Sequence, residues 1–392
     1  MNRWSTLRQL CDLIGPNALP PVCPSHGDAL RHVLTGTARV MLSHRTVGVF
    51  PEKLDLGGEV VFDQNPEVFD VLIRSLKYRR PAFVLKGTLD NLISEFGLDG
   101  VSTVSVRVTA TGLVLAFGQV HGVAVAVHKA LSPDCERSIQ NLFSGLKTGS
   151  EFLPDLVPGI IEFRADKLTT KLIQGRSLMP QGGPESQLQT AIMEGLKPLG
   201  TLHCQGNAKI TPDQPFLAVL SNFVKKHERA ADLGKALAVL DGWDWSGVRS
   251  VTVHGDYWLN NLLVSERGIS GVVDWDRSRR NGCAALDALH LGFMSYAMWA
   301  DKYVSEMLAP LWTGRWEYAW LADYSRLICD MFSVTYTELQ RIAALLWLSY
   351  FYYADDGSDR TEWNEKMIEP VSKAIAGASA RMISAAAVAS EN

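Results

Sequence analysis

Residues 251–275 form a short β-rich island in a sequence whose pattern is otherwise helical from about residue 185 onward. The island reads Val251-Thr-Val-His254-Gly255-Asp256-Tyr-Trp-Leu-Asn260-Asn261-Leu-Leu-Val264. After Gly268 it continues Ile-Ser-Gly-Val-Val273-Asp274-Trp275-Asp276. Apolar runs of strand length end three times in polar side chains: at His254 and Asp256, at Asn261, and at Asp274. Apolar runs of this length, broken at Gly268, predict a hairpin that delivers those side chains at its strand ends. The chain therefore needs a large helical part built around a small β element.

Upstream the pattern changes. Residues 101–108, 113–119 and 123–129 are β-rich runs broken at Thr111-Gly112 and His121-Gly122, as in an antiparallel meander. Ser132 and Pro133 suit the N-cap and first position of a helix, and strands return at 159–163 and 167–173. Helices are expected over 186–204, 215–240, 284–300, 316–332, 336–353 and 362–385. The class is α+β: residues 99–176 as a small antiparallel β lobe and 177–392 as a large helical lobe. Residues 1–98 read as a separate mixed α/β extension, with alternating runs at 38–42 and 58–62 and a helix over 66–78. Trp4, Leu7, Leu10, Cys11 and Ile14 fall on one helical face, and the pattern there lacks the core of a signal peptide.

Composition narrows the partners. Hydrophobic residues at 47% and charged residues at 20% are a globular balance, and 392 residues call for two or three packed units. A net charge of -4 gives no reason to expect nucleic acid. Six scattered cysteines with no CxxC point to buried free thiols in a reducing compartment rather than disulfides or a zinc site. The longest apolar stretches are interrupted by Asp287 and His290 or are too short to span a bilayer, so a cytoplasmic protein without membrane contact is expected.

Phosphoryl transfer asks for a carboxylate to orient and deprotonate an attacking hydroxyl, and for hard oxygen ligands that hold Mg²⁺ against the phosphates. Asp256 and Asn261 stand at the separation of the Asp and Asn in the protein-kinase catalytic loop, and Asp274 ends the next strand. An HGDxxxxN run followed by hydrophobic-Asp-Trp-Asp resembles the aminoglycoside phosphotransferase and choline kinase superfamily, over roughly residues 101–353. The resemblance implies a bilobal, protein-kinase-like fold with Asp256 as base, Asn261 and Asp274 as metal ligands, and His254 as support for the catalytic loop. It also implies that Asp287 braces that loop from a helix. Leu199 to His203 is similar to the family's LxxLH, and reads equally as the end of an ordinary amphipathic helix. A second His-Gly-Asp, at 26–28, has Val33 where the Asn belongs and reads as a turn.

Within the small lobe, Lys129 closes the third strand, where a phosphate-binding lysine is expected. Glu136 is the nearest candidate for its partner, though a first-turn Glu also complements the helix dipole. Residues 109–112 offer only a thin glycine loop over the phosphates, and backbone groups at Ile173 and Gln174 occupy the hinge position that meets adenine. Asp276 is a secondary metal candidate, and Arg277, Arg279 and Arg280 read as a solvated basic loop rather than an anion site. The leading expectation is an ATP- and Mg²⁺-dependent kinase acting on a hydroxyl of a sugar, aminoglycoside or related small molecule. Alternatives are a Ser/Thr kinase of a peptide recruited by residues 1–98, and a nucleotide-binding pseudokinase.

Overall fold

The computed structural model describes residues 46–51, 58–63, 83–85, 96–99, 103–108, 113–130, 133–180, 182–203, 248–354 and 370–375, with isolated helical residues between 217 and 240. Several expectations lie outside the described residues: the stripe at 4–14, the second His-Gly-Asp, the strand at 38–42, the helix at 66–78, the loop at 109–112, Ser132, and most of 215–240 and 362–385. The chain divides into two compact units. One comprises residues 1–144 and 158–172, the other residues 145–157 and 173–392.

The first unit is built on an antiparallel sheet. Strands β1 (Thr46–Pro51), β2 (Gly58–Asp63), β3 (Phe83–Leu85), β4 (Thr103–Val108), β5 (Val114–Val120) and β6 (Val123–Lys129) precede helix α1 (Pro133–Ser150), whose last turns fall in the second unit. β7 (Ile160–Phe163) and β8 (Lys167–Lys171) follow, and the order across the sheet is β3-β1-β2-β4-β5-β6-β8-β7. The five strands from β4 onward lie where the meander pattern placed them. The segment before residue 99 is not independent of them: β2 pairs β4 with Val60 opposite Val106. Without β2, β4 would be a bare edge with a row of unpaired backbone groups. β5 and β6 are joined at His121-Gly122, both at positive φ (51° and 74°), the two-residue turn that matches strand twist. Val114, Ala116, Val125, Val127, Ile139, Leu142 and Leu168 are buried as this unit's core.

The second unit is mainly helical. After β9 (Arg176–Ser177) come α2 (Glu185–Gly195) and α3 (Lys197–Leu202), which were expected as one helix; Pro198 in the new first turn accounts for the break. β10 (Ser250–Val253) pairs antiparallel with β13 (Arg279–Cys283). β11 (Leu262–Ser265) and β12 (Gly268–Val272) form the expected hairpin, with β9 against β11. Helices α4 (Leu286–Trp299), α5 (Val304–Leu308), α6 (Pro310–Thr313), α7 (Ala319–Phe332) and α8 (Tyr336–Ala354) complete the unit. α4 is buried on nearly every face, as expected of a helix that is apolar all round. No helix among the described residues is long and apolar enough to cross a membrane.

Candidate active site

The hairpin brings the polar strand ends together, as the sequence required. β10 delivers His254 and Asp256, a single 3₁₀ turn over Leu259–Asn261 delivers Asn261, and β12 runs out at Asp274. Leu262 faces Val272 across the β11–β12 ladder, and the Val273 N–H extends it by donating to the Asn261 carbonyl at 2.9 Å. This register sets Asn261 opposite Val273, the residue before Asp274. The Asn261 amide donates to the Asp256 carbonyl at 2.8 Å and to Asp256 Oδ2 at 3.3 Å.

His254 is buried and ties the two halves of this arrangement. Its Nδ1 lies 3.2 Å from the Asp256 N–H, which can only donate, so Nδ1 carries the lone pair. Nε2 therefore carries the proton and donates to the Val273 carbonyl at 2.9 Å. Desolvation lowers the His254 pKa against the opposing pull of Asp287 and Asp256, which keeps the ring neutral and this tautomer in place. The edge of Trp275, a fully buried indole whose N–H donates to Val272 O at 2.8 Å, packs against it.

The loop from His254 to Asn261 is anchored from three helical points. Asp287, buried near the start of α4, accepts from the N–H groups of His254 at 2.7 Å and Gly255 at 2.9 Å. His203 Nε2 lies 3.5 Å from the same carboxylate. Burial opposes ionisation of Asp287, but His203, His254 and the backbone donors outweigh it and hold its carboxyl below the usual range. The Tyr257 hydroxyl donates to Gly195 O at the end of α2, and Ser295 Oγ on α4 accepts from the Leu259 N–H. Gly255 is required here: it has φ 81°, and a Cβ would sit 2.3 Å from the Arg277 carbonyl.

Asp256 is poised as an anion. Burial works against its charge, but Arg277, then His290 and His254, and the Asn261 amide reverse the balance and hold its pKa below the ordinary value. Arg277 Nη1 lies 3.1 Å from Asp256 Oδ1. This corrects the reading of Arg277 as part of a solvated loop; Arg279 and its neighbours likewise form a strand, and Arg280 ion-pairs with Glu151 at 2.6 Å. A legible signal existed for Arg277, since it stands three residues beyond Asp274 and so one 3₁₀ turn back toward the loop. For the strand, the signal was Gly282, where a Cβ would meet Val253 Cγ2 at 2.4 Å.

Asp274 carries the opposite perturbation. Desolvation first, then the charges of Asp276 and Asp256, push its pKa well above the usual value. The residue has solvent-exposed surface, so the like-charge contribution is the part that bears on a cation. Asp276 is raised to about 6, again by desolvation first. Asp256 and Asp276 thus act on Asp274 as like charges. The remaining sequence candidates lie elsewhere in the chain. Lys129 ends β6 with Asp166 at 3.7 Å, and Glu136 lies near the start of α1; no ion pair joins these two among the described residues. Ile173 packs on Gly271, and the Gln174 carbonyl accepts from Ser270 Oγ at 2.9 Å.

Residues 201–324 match the model of the phosphotransferase enzyme family, a segment that contains Asp256, Asn261, Asp274, Arg277 and Asp287. The match spans 124 of the 392 residues and falls on the motifs that resemble the aminoglycoside phosphotransferase and choline kinase superfamily. Among solved structures the chain is similar to the apo form of a thermostable mutant of aminoglycoside phosphotransferase APH(4)-Ia, at 14% identity and TM-score 0.48, covering 73% of this chain and 98% of that one. It is also similar to a type I macrolide 2'-phosphotransferase, at 15% identity and TM-score 0.46, with 74% and 97% covered. The macrolide 2'-phosphotransferase MphH from Brachybacterium faecium gives 18% identity and TM-score 0.40, with 65% and 96% covered. No curated protein matches the chain in sequence.

Proposed function

We propose that the chain transfers the γ-phosphoryl group of ATP, with Mg²⁺, to a hydroxyl of a small molecule such as a sugar, aminoglycoside or related metabolite. The observation that carries this reading is that Asp256, held as an anion, accepts from the amide of Asn261, which stands at the foot of the hairpin whose second strand leads into Asp274.

The donor set fits Mg²⁺. The Asn261 amide nitrogen is committed to Asp256, which leaves its carbonyl oxygen as the atom for a cation, and Asp274 supplies a hard, charge-crowded oxygen. Among the described residues no group of three or more His, Cys, Asp or Glu is placed to hold a metal. Mg²⁺ takes one or two protein ligands and completes its shell with phosphate oxygens and water. When bound, Mg²⁺ neutralises charge building on the phosphates. Asp256 accepts the acceptor's hydroxyl proton, and the Arg277 contact keeps the carboxylate ionised at neutral pH to do so. His254 holds the loop in register with Val273. The assignments of Lys129 and Glu136 to the nucleotide's phosphates, of Ile173 and Gln174 to adenine, and of the protein to the cytoplasm belong to the same proposal and rest on sequence position and composition.

The test is phosphate transfer from ATP to a panel of hydroxyl compounds. Asp274→Ala is expected to lower turnover by more than about a thousandfold while circular dichroism stays native. An Asp274→Ala protein that turns over at a near-normal rate would sink the reading.

A further inference from the structure

His290 is the side chain beside the base for which neither the motifs nor the family match supplies a role. It stands three residues after Asp287 on α4, one helical turn on, so the helix that braces the catalytic loop also presents this imidazole to Asp256. The residue is only 2% exposed, and among the described residues neither ring nitrogen has a hydrogen-bond partner. A buried imidazole with two unmet nitrogens is costly and calls for an explanation. Nε2 lies 3.6 Å from Asp256 Oδ1, just beyond hydrogen-bond reach. The Tyr350 ring on α8 stands edge-on to the imidazole, at 5.4 Å between centroids and 83° between planes, and fixes the plane of the ring. In substrate-free active sites such contacts are commonly long and tighten when the reacting complex forms.

We propose that His290 is a positioning residue for the base: its neutral imidazole donates Nε2–H to Asp256 Oδ1 in the reacting complex. Together with Arg277 it holds Oδ1, so that Oδ2, which carries only the longer 3.3 Å contact from the Asn261 amide, is the oxygen presented to the acceptor. In the step itself the acceptor's O–H proton passes to Oδ2, and the acceptor oxygen bonds to the γ-phosphorus. The bond from that phosphorus to the β–γ bridging oxygen breaks, and ADP leaves with its electrons. His290 neither gains nor loses a proton. This inference rests on the phosphotransferase reading above.

The experiment uses the full chain with Mg²⁺ and ATP and takes water as the acceptor, so no physiological substrate is needed; phosphate release is the readout. His290→Phe keeps the aromatic contact with Tyr350 and removes the donor, and is expected to lower kcat by about tenfold or more with KM for ATP within about threefold. His290→Gln restores a donor near the Nε2 position and is expected to recover kcat to within about threefold of the parent chain. Equal loss in both variants, no loss in either, or a loss confined to KM overturns the proposal. Histidine-selective ¹⁵N NMR of the unsubstituted protein provides a second measurement that holds even if a variant fails to fold: the Nε2–H tautomer is expected at His290, and Nδ1–H overturns the assignment. If the unsubstituted chain neither releases phosphate nor is stabilised by ATP with Mg²⁺, the phosphotransferase reading falls and this proposal with it. If it does release phosphate and Asp256→Asn stops it while His290→Phe does not, only this proposal falls.

Discussion

Asp274 holds a left-handed backbone, φ 68° and ψ 57°, a conformation that costs a non-glycine residue free energy and is retained where function requires it. Its raised pKa means the folded state prefers the protonated carboxyl, so the side chain subtracts stability once pH rises above the ordinary carboxylate value. Asn tolerates the same backbone and carries no charge. Asp274→Asn is therefore expected to match the unsubstituted chain's thermal midpoint near pH 4 and exceed it at pH 7. Discounted for screening at this exposed position, the gain is on the order of 1 kcal/mol, with transfer lost. Asp287 is the opposite case, a buried anion that the fold needs. Asp287→Ala strands two catalytic-loop N–H groups and is expected to cost about 3 kcal/mol, read as a lower denaturant midpoint with kcat falling in parallel. Asp256, Asn261 and Asp274 were legible as candidates because the motif that singles them out is a matter of chain spacing. His290 was not, because what singles it out is a distance to Asp256 across 34 residues of chain.

The last turns of α1 and the turn after β12 show how elements set the site. Gly145 and Gly149, one helical turn apart, let α1 lie against Trp275: a Cβ on Gly145 would stand 2.0 Å from the Trp275 carbonyl, and one on Gly149 would stand 2.7 Å from its ring. Helix propensity favours Ala over Gly by about 1 kcal/mol, so propensity alone predicts that Gly→Ala stabilises. Contact with a backbone oxygen at that distance reverses the sign. Gly145→Ala is expected to destabilise by roughly 1–3 kcal/mol, more than Gly149→Ala, and to depress transfer by displacing Trp275 between Asp274 and Asp276. Thermal melts and kinetics of the two variants check the order. Element types were mostly readable from periodicity. Their ends were set by local chemistry that the periodicity does not carry, as at Pro310 and Gly314 (φ 69°), which bound the short α6, an element outside the expected helices.

Each unit holds a histidine that burial keeps neutral: His128 in the first and His290 in the second, both lowered to about 4 by desolvation. The unfolded chain takes up these protons near pH 6.5, whereas the folded chain resists until about pH 4. Stability from this source is full above about pH 6.5 and is lost as pH falls toward 4, so the denaturant midpoint should drop across that window. A double variant, His128→Leu with His290→Phe, should flatten part of the drop; an unchanged slope counts against the burial account. At the scale of the molecule, the sequence by itself determined the α+β class, the meander of β4 to β6, the hairpin after residue 250 and the three side chains at its ends, because alternation and motif spacing are local properties. Only the tertiary structure decided that the strands before residue 99 continue the first unit's sheet, that Arg277 pairs with Asp256, and that Asp287 and His290 reach the loop from α4. Those are contacts between distant stretches of chain, settled by which surfaces are buried together, and burial is a property no local pattern records.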